Sequence, residues 1–406
     1  MMESVNFEKK YQLKELELNA LLEVSMGINN NMKEEHLYRV FQFTLQGTFG
    51  VERMALYVCN ESGWGCKAQF NTDSNFEENP LDECLLEVKD IKKVDEITPC
   101  NSIFSEFDVI IPVSHKQERL AVLLVGSNGQ KEEMNLKFIQ TLANLIFVAL
   151  ENKKFARRQL KQERMNREIE IANQVQKSLL PPSLPNSEKL QMAAEYVPHH
   201  GIGGDYYDCI TLEDGRYLIC MADVSGKGIP AALLMSNFQA SLRTIVLHTT
   251  DLKEVVASVN QQIQRRGAQE HFITVFLAIY DMERNTLEYV NAGHNQPLVI
   301  HENGQVQHLD KGSTIMGFFD PLPFIESGLL TNLEAFTLFC YTDGLTETFN
   351  DQEEEYGEER LEAFLVNQQT LTPEEIIQEM MKELNNYRKE VPYADDISIF
   401  TLKKWA

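Results

Sequence analysis

The sequence predicts an α+β protein with largely antiparallel sheets, built as two mixed modules joined by one long helix. Two observations carry this expectation. Strand-length apolar runs in the second half are joined by short hairpin-like links, DMERNT between two of them and ENGQ after VIH. Such hairpins impose antiparallel pairing and argue against a doubly wound nucleotide-binding sheet. A densely charged helical run near residues 140–180 separates the two halves.

In chain order, LKELELNALLEVSMGI and EEHLYRVFQFTLQGTF read as helices. Strand-like runs follow at MALYVC, DVIIPVS and LAVLLVG, with Gly/Asn/Asp-rich loops between them. NLKFIQTLANLIFVALENK closes this first module, residues 12–150, as a long helix. The helical reading then continues unbroken over 140–180. Ala149, Ala156, Leu160, Met165, Ile169, Ala172, Val175 and Leu179 recur at gaps of mostly three, four or seven, with one of five. A coiled-coil seam with one irregularity fits that spacing, and so does a single solvated helix. Pro181 and Pro182 stop the helix. In the third region, 181–406, strands are expected at MAAEYV, GRYLICMA, FITVFLAIYD, TLEYVNAG, QPLVIH, EAFTLFCYT and DISIFTL. Two helices follow one another after Gly228, and another starts at Thr372, where Pro373 and Glu375 complete a capping-box signature.

At 406 residues the chain suffices for two to three domains, each with its own core. Its 61 acidic against 37 basic residues give a formal charge of −24, which repels phosphate backbones and anionic headgroups. Nucleic acid and membrane surfaces are therefore not expected partners. The seven cysteines are scattered without a C-x-x-C pair, against a zinc site or a disulfide framework and for a reducing compartment. MMESVNFEKK has no signal-peptide pattern and no apolar run reaches the ~18 residues of a membrane span, so a cytoplasmic protein is expected.

Chemistry concentrates in four segments: GGDYYD, ADVSGKG, YTDGLTE and ADDISIF. Each sets an aspartate at the end of an apolar run or beside glycines. Taken singly, each reads as turn chemistry, or as a loop entering a helix. Together, acidic groups at strand ends with glycines admitting close backbone suit hard, oxygen-loving cations such as Mg²⁺ or Mn²⁺. Convergence of these carboxylates would cost strong repulsion without a cation.

In this order, and with QVQKSLLPPSLP, ADVSGKGIPAALLM and NAGHNQP, the segments resemble the motif set of the PPM family of metal-dependent protein phosphatases, specifically its bacterial SpoIIE/RsbU branch. The resemblance covers about residues 165–402. It implies an α-β-β-α sandwich of two antiparallel sheets flanked by helices. It also implies two divalent cations, Mn²⁺ or Mg²⁺, held by Asp205, Asp223, Asp343, Asp395 and the backbone carbonyl of Val224. The catalytic agent would be a water held by those cations and aimed at phosphorus. The implied substrate is a phosphorylated regulatory protein, such as an anti-sigma-factor antagonist of the STAS type. The N-terminal order of elements is similar to a GAF domain, which implies a sensory or dimerising module and a homodimer through it and the linker. A generic dimerisation module without a ligand fits the same pattern.

Asp395 and Asp396 are adjacent, so on a strand only one can enter a pocket, and the family pattern favours Asp395. Asp208, three residues beyond Asp205, is a supporting or structural candidate. Eukaryotic members carry a histidine where this chain has Ser225, which leaves the general acid open. Lys227 supplies positive charge nearby or is a solvated loop lysine. His294 of NAGHNQP is an acid–base candidate set against a tight strand connection. His199 and His200 lack ligand spacing and read as exposed loop residues. The competing reading from another class is a binding module that keeps the fold without turnover.

Overall fold

The computed structural model describes residues 2–60, 63–97, 102–116, 118–127, 135–199, 201–264 and 271–405. The chain forms two compact units, Met1–Glu163 and Arg164–Ala406.

The first unit contains α1 (Met2–Asn29), α2 (Glu34–Thr48), β1 (Arg53–Asn60), β2 (Gly63–Phe70), α3 (Glu83–Leu86), β3 (Lys92–Lys93), β4 (Val109–His115) and β5 (Glu118–Gly126). Its strands pair antiparallel in the order β2-β1-β5-β4-β3. One sheet face, with Met54, Leu56, Ile111 and Leu123, packs on Phe41 and Leu45 of α2 and Val24 of α1. The other face, with Tyr57, Ile110 and Leu124, is covered by Phe76, Leu85 and Phe104. β2 was not expected, because its glycines and lysine hide strand character; pairing with β1 supplies what the local sequence lacks. Cys84 is disulfide-bonded, which corrects the expectation of thiols throughout, and Cys100 lies outside the described residues. Cys59, Cys66, Cys209, Cys220 and Cys340 are free.

A single helix, α4 (Leu136–Lys177), begins in the first unit and ends in the second. Leu142, Ala143 and Ile146 of its first half are buried against α2 and the sheet. Farther on, Leu160, Met165 and Val175 are more than half exposed. Among the described residues no helix is long and apolar enough to cross a membrane.

The second unit continues with β6 (Leu190–Val197), β7 (Tyr206–Thr211), β8 (Tyr217–Val224), α5 (Ile229–Ile245), α6 (Leu252–Gln264), β9 (Ile273–Asp281) and β10 (Thr286–Ala292). It ends with β11 (Leu298–His301), β12 (Val306–His308), β13 (Gly312–Ser313), β14 (Gly328–Leu330), β15 (Phe336–Tyr341), α7 (Asp343–Thr346), α8 (Glu358–Asn367), α9 (Pro373–Arg388) and β16 (Ile397–Lys404). One sheet runs β13-β10-β9-β8-β7 with β14 on β10; the other runs β12-β11-β15-β16-β6. These pairings are antiparallel except the short β10–β13 contact.

Strand alternation sorts the side chains into layers. Ile219, Met221, Phe276 and Ala278 of the first sheet meet Leu338, Cys340, Phe400 and Leu402 of the second. The opposite face of the first sheet packs on Phe238 of α5 and Val255 and Val259 of α6. That of the second sheet packs on Leu361 and Leu365 of α8 and Ile376 and Met380 of α9. The result is the α-β-β-α sandwich. The capping box at Thr372 forms, with reciprocal bonds to Glu375. A one-residue slip in any inner strand would drive apolar side chains outward, so register is firmly held.

Candidate metal centre

Along the inner faces the same alternation runs past the apolar core into polar positions. On β8, Ile219 and Met221 are followed by Asp223; on β15, Leu338 and Cys340 are followed by Thr342. On β16, Ser398 precedes Phe400 and Leu402. Hydrogen bonds join these positions at one rim of the sandwich. The Thr342 hydroxyl donates to Asp205 Oδ2 at 2.8 Å and accepts from the Ser398 amide at 2.9 Å. Asp205 stands just before β7, next to Tyr206, whose partner is Ala222 beside Asp223.

The carboxylates feel one another. Burial, then Asp223 and Asp396, hold the Asp205 carboxyl well above the usual range. Burial, then Asp343 and Asp395, push Asp223 up to about 7, against a hydrogen bond with Asp205. Burial and Asp395 raise Asp343, opposed by the Gly344 amide and Lys227. Asp343 opens the short helix α7 instead of a tight turn, and its carbonyl accepts from Glu347.

Asp395 and Asp396 precede β16 and are not part of it, so strand alternation does not govern them. Asp396 is buried, and its two oxygens accept the amides of His199 at 2.7 Å and Gly204 at 2.9 Å. Asp395 is a third exposed; its Oδ1 accepts the Asp396 amide, and its Oδ2 faces the Lys227 ammonium at 2.8 Å. Lys227 also donates to the Ala394 carbonyl at 2.7 Å, so it is tied to this segment and not free in solvent. The glycines are sites of close approach. A Cβ on Gly203 would stand 1.8 Å from Asp396 Oδ2, and one on Gly204 2.7 Å from the Val224 carbonyl oxygen.

Other expected residues lie elsewhere. Asp208 points to the opposite face of β7, where Arg243 of α5 grips it through two 2.8 Å bonds and the Tyr206 hydroxyl adds a third. His294 is buried, its Nδ1 2.9 Å from the Thr274 hydroxyl and its amide bonded to Asn291 Oδ1. Burial lowers its imidazole to about 4. Thr274 is the cross-strand partner of Asp223, which puts His294 behind the carboxylates as a neutral structural ring. The Ser225 hydroxyl accepts the Phe272 amide at 2.8 Å. His199 is half-buried, which corrects the expectation of an exposed loop residue, because Asp396 draws in its backbone; His200 lies outside the described residues.

Sequence reasoning missed three participants. Thr342 is signalled only by period two on β15. Arg243 has no local signal, since its partner is 35 residues away. Gln176, near the end of α4, is 3% exposed, donates to the Gly203 carbonyl at 2.7 Å and accepts its amide at 3.2 Å.

The donor set is hard oxygen: carboxylates and a backbone carbonyl kept open by Gly204, which suits Mg²⁺ or Mn²⁺. Among the described residues no three His, Cys, Asp or Glu side chains yet form a cage tight enough for an ion. The Lys227 ammonium, 2.8 Å from Asp395 Oδ2, occupies the place at that carboxylate for which a cation would compete. Asp205, Asp223, Asp343 and Asp395 thus fit the group as neighbours in one field, and Asp208 and His294 do not join them.

Residues 213–404 match the family model described as stage II sporulation protein E (SpoIIE). Protein IcfG of Synechocystis sp. is 27% identical over 263 residues, 58% of this chain and 41% of that protein. Phosphoserine phosphatase RsbU of Bacillus subtilis is 32% identical over 182 residues, 39% of this chain and 54% of that one. The chain thus spans about half the length of the curated relatives it matches. The SiaA-PP2C domain of Pseudomonas aeruginosa superposes with a TM-score of 0.54 at 20% identity, covering 60% of this chain and 98% of that domain, which shows the shared fold.

Proposed function

We propose that this chain, whose residues 213–404 match the SpoIIE family model, is a metal-dependent phosphatase acting on phosphoserine or phosphothreonine of a regulatory protein. The observation that carries the reading is the gathering of Asp205, Asp223, Asp343 and Asp395 from four separate segments, where burial and neighbouring carboxylates raise the pKa values of the first three. Carboxylates are held in such company when cations neutralise them. A pair of divalent cations, when bound, supplies Lewis acidity for attack of water on phosphorus and neutralises the phosphoryl oxygens.

The chain's own groups do the rest. Asp205, Asp223, Asp343, Asp395 and the Val224 carbonyl would hold the cations. The Thr342 hydroxyl fixes one oxygen of Asp205, and Asp396 fixes the Gly204 backbone, so Asp205 is presented in one orientation. Lys227, released from Asp395, has the charge to meet a phosphoryl oxygen. The buried thiols Cys209, Cys220 and Cys340 have pKa values raised by burial, which suits structural and not nucleophilic roles.

The N-terminal unit is read as a GAF-like sensory or dimerising module, and α4 as a self-association helix. The exposed apolar Leu160, Met165 and Val175 support the latter. A STAS-type regulator is the proposed substrate, by analogy with the branch this domain resembles.

The test is Mn²⁺-dependent hydrolysis of p-nitrophenyl phosphate by the full chain. Asp223→Asn should lower it ~100-fold or more. Hydrolysis that persists in a chelator, or survives the substitution, would leave the mechanism without support. A metal-loaded protein that never turns over would favour the binding-module reading.

A further inference from the structure

We infer that Gln176 is a positioning residue for the metal centre, setting the place of Asp205 through a two-point amide clamp on Gly203; the inference rests on the phosphatase reading above. Its carboxamide meets both backbone groups of Gly203, donating to the carbonyl at 2.7 Å and accepting the amide at 3.2 Å. The opposite side of Gly203 lies so close to the Asp396 carboxylate and the Tyr196 hydroxyl that no side chain could stand there. Gly203 is therefore gripped between α4 and the segment before β16. The next amide, of Gly204, is bound to Asp396, and the residue after that is Asp205.

Only a glutamine satisfies both groups. Glutamate can accept but not donate, and sets a negative charge against a carbonyl. Asparagine is one methylene short. Methionine fills the space and leaves a buried N–H and C=O unpaired. Position also decides: Gln174, two residues earlier, is exposed while Gln176 is buried. Without the clamp, Gly203 and Gly204 lose their fixed path and the Asp205 carboxylate wanders from its bond with Thr342. Groups that orient a metal's ligands, without touching the metal, typically govern affinity by 10–100-fold.

The experiment is Mn²⁺ titration by calorimetry on the metal-free full chain, with thermal denaturation of the same samples. Gln176→Met and Gln176→Glu should each weaken Mn²⁺ binding by ~10–100-fold. Lys403→Met is the control, since it removes buried bonds to the Gln369 and Leu371 carbonyls at the far end of β16. It should lower the thermal midpoint and leave Mn²⁺ affinity within about twofold. If Gln176→Met binds Mn²⁺ like the parent while Asp223→Asn does not, the clamp is overturned and the phosphatase reading stands. If Lys403→Met weakens Mn²⁺ as much as Gln176→Met, the effect is general loosening and the clamp is again overturned. If the parent binds no Mn²⁺, or Asp205→Asn and Asp223→Asn bind it normally, the metal-centre reading itself falls.

Discussion

Asp223 and His294 are both neighbours of Thr274 and respond to pH with opposite signs. Asp223 in the folded chain holds its proton up to about 7, far above an unfolded aspartate. Its contribution to stability is present below about pH 4 and is lost as pH rises through 7. Asp223→Asn should therefore raise the thermal midpoint of the chelated protein at pH 8 by a few degrees, while abolishing stabilisation by Mn²⁺. A midpoint that falls in chelator would contradict this. His294 is a base whose folded value is depressed to about 4, so its contribution is present above about pH 6.5 and lost as pH falls toward 4. The loss amounts to about 3 kcal/mol over that window. His294→Gln should flatten this limb in urea titrations at successive pH values; an unchanged acid slope would refute the assignment. Asp223 and Asp343 stood out in the sequence because each follows an apolar run, Asp205 because it follows two glycines, and Asp395 because it leads into the last strand. The neutral state of His294 was not, because depth of burial has no local signature.

At the scale of elements, α5 is pinned to β7 by the Arg243–Asp208 pair, with Asp208 wholly buried. Removing Arg243 leaves a carboxylate without its counter-charge, so Arg243→Met should cost about 3 kcal/mol in denaturant unfolding. Asp208→Asn in the same background should restore part of that loss, and no recovery would argue against the pair. β7 itself was missed from sequence, because YYDCIT places this charge in mid-strand and its partner lies on a helix 35 residues on. Most other strands were found to within two or three residues, their apolar runs being long and cleanly bounded. Within α4 the seam positions Leu160 and Met165 are exposed, which fits association with a second copy of the helix. Leu160→Glu with Met165→Glu should shift the full chain to monomer in light scattering; an unchanged mass would remove α4 from any interface.

For the whole molecule, the described residues of each unit form hydrophobic clusters of their own. Residues 164–406 should accordingly fold alone and keep Mn²⁺-dependent hydrolysis. Equal activity of this fragment and the full chain under all conditions tested would leave no regulatory role for the first unit. The long helix over 140–180 was visible as a shift in pattern; the clamp by Gln176 was not, because helical spacing cannot tell one glutamine from another. The placement of β16 has a further consequence. It lies between β15 and β6, and the segment entering it binds the Gly204 amide, 192 residues earlier in the chain. On the proposed reading, the Gly204–Asp396 contact can form only after the segment entering β16 has left the ribosome, so a half-made polypeptide would lack hydrolytic activity.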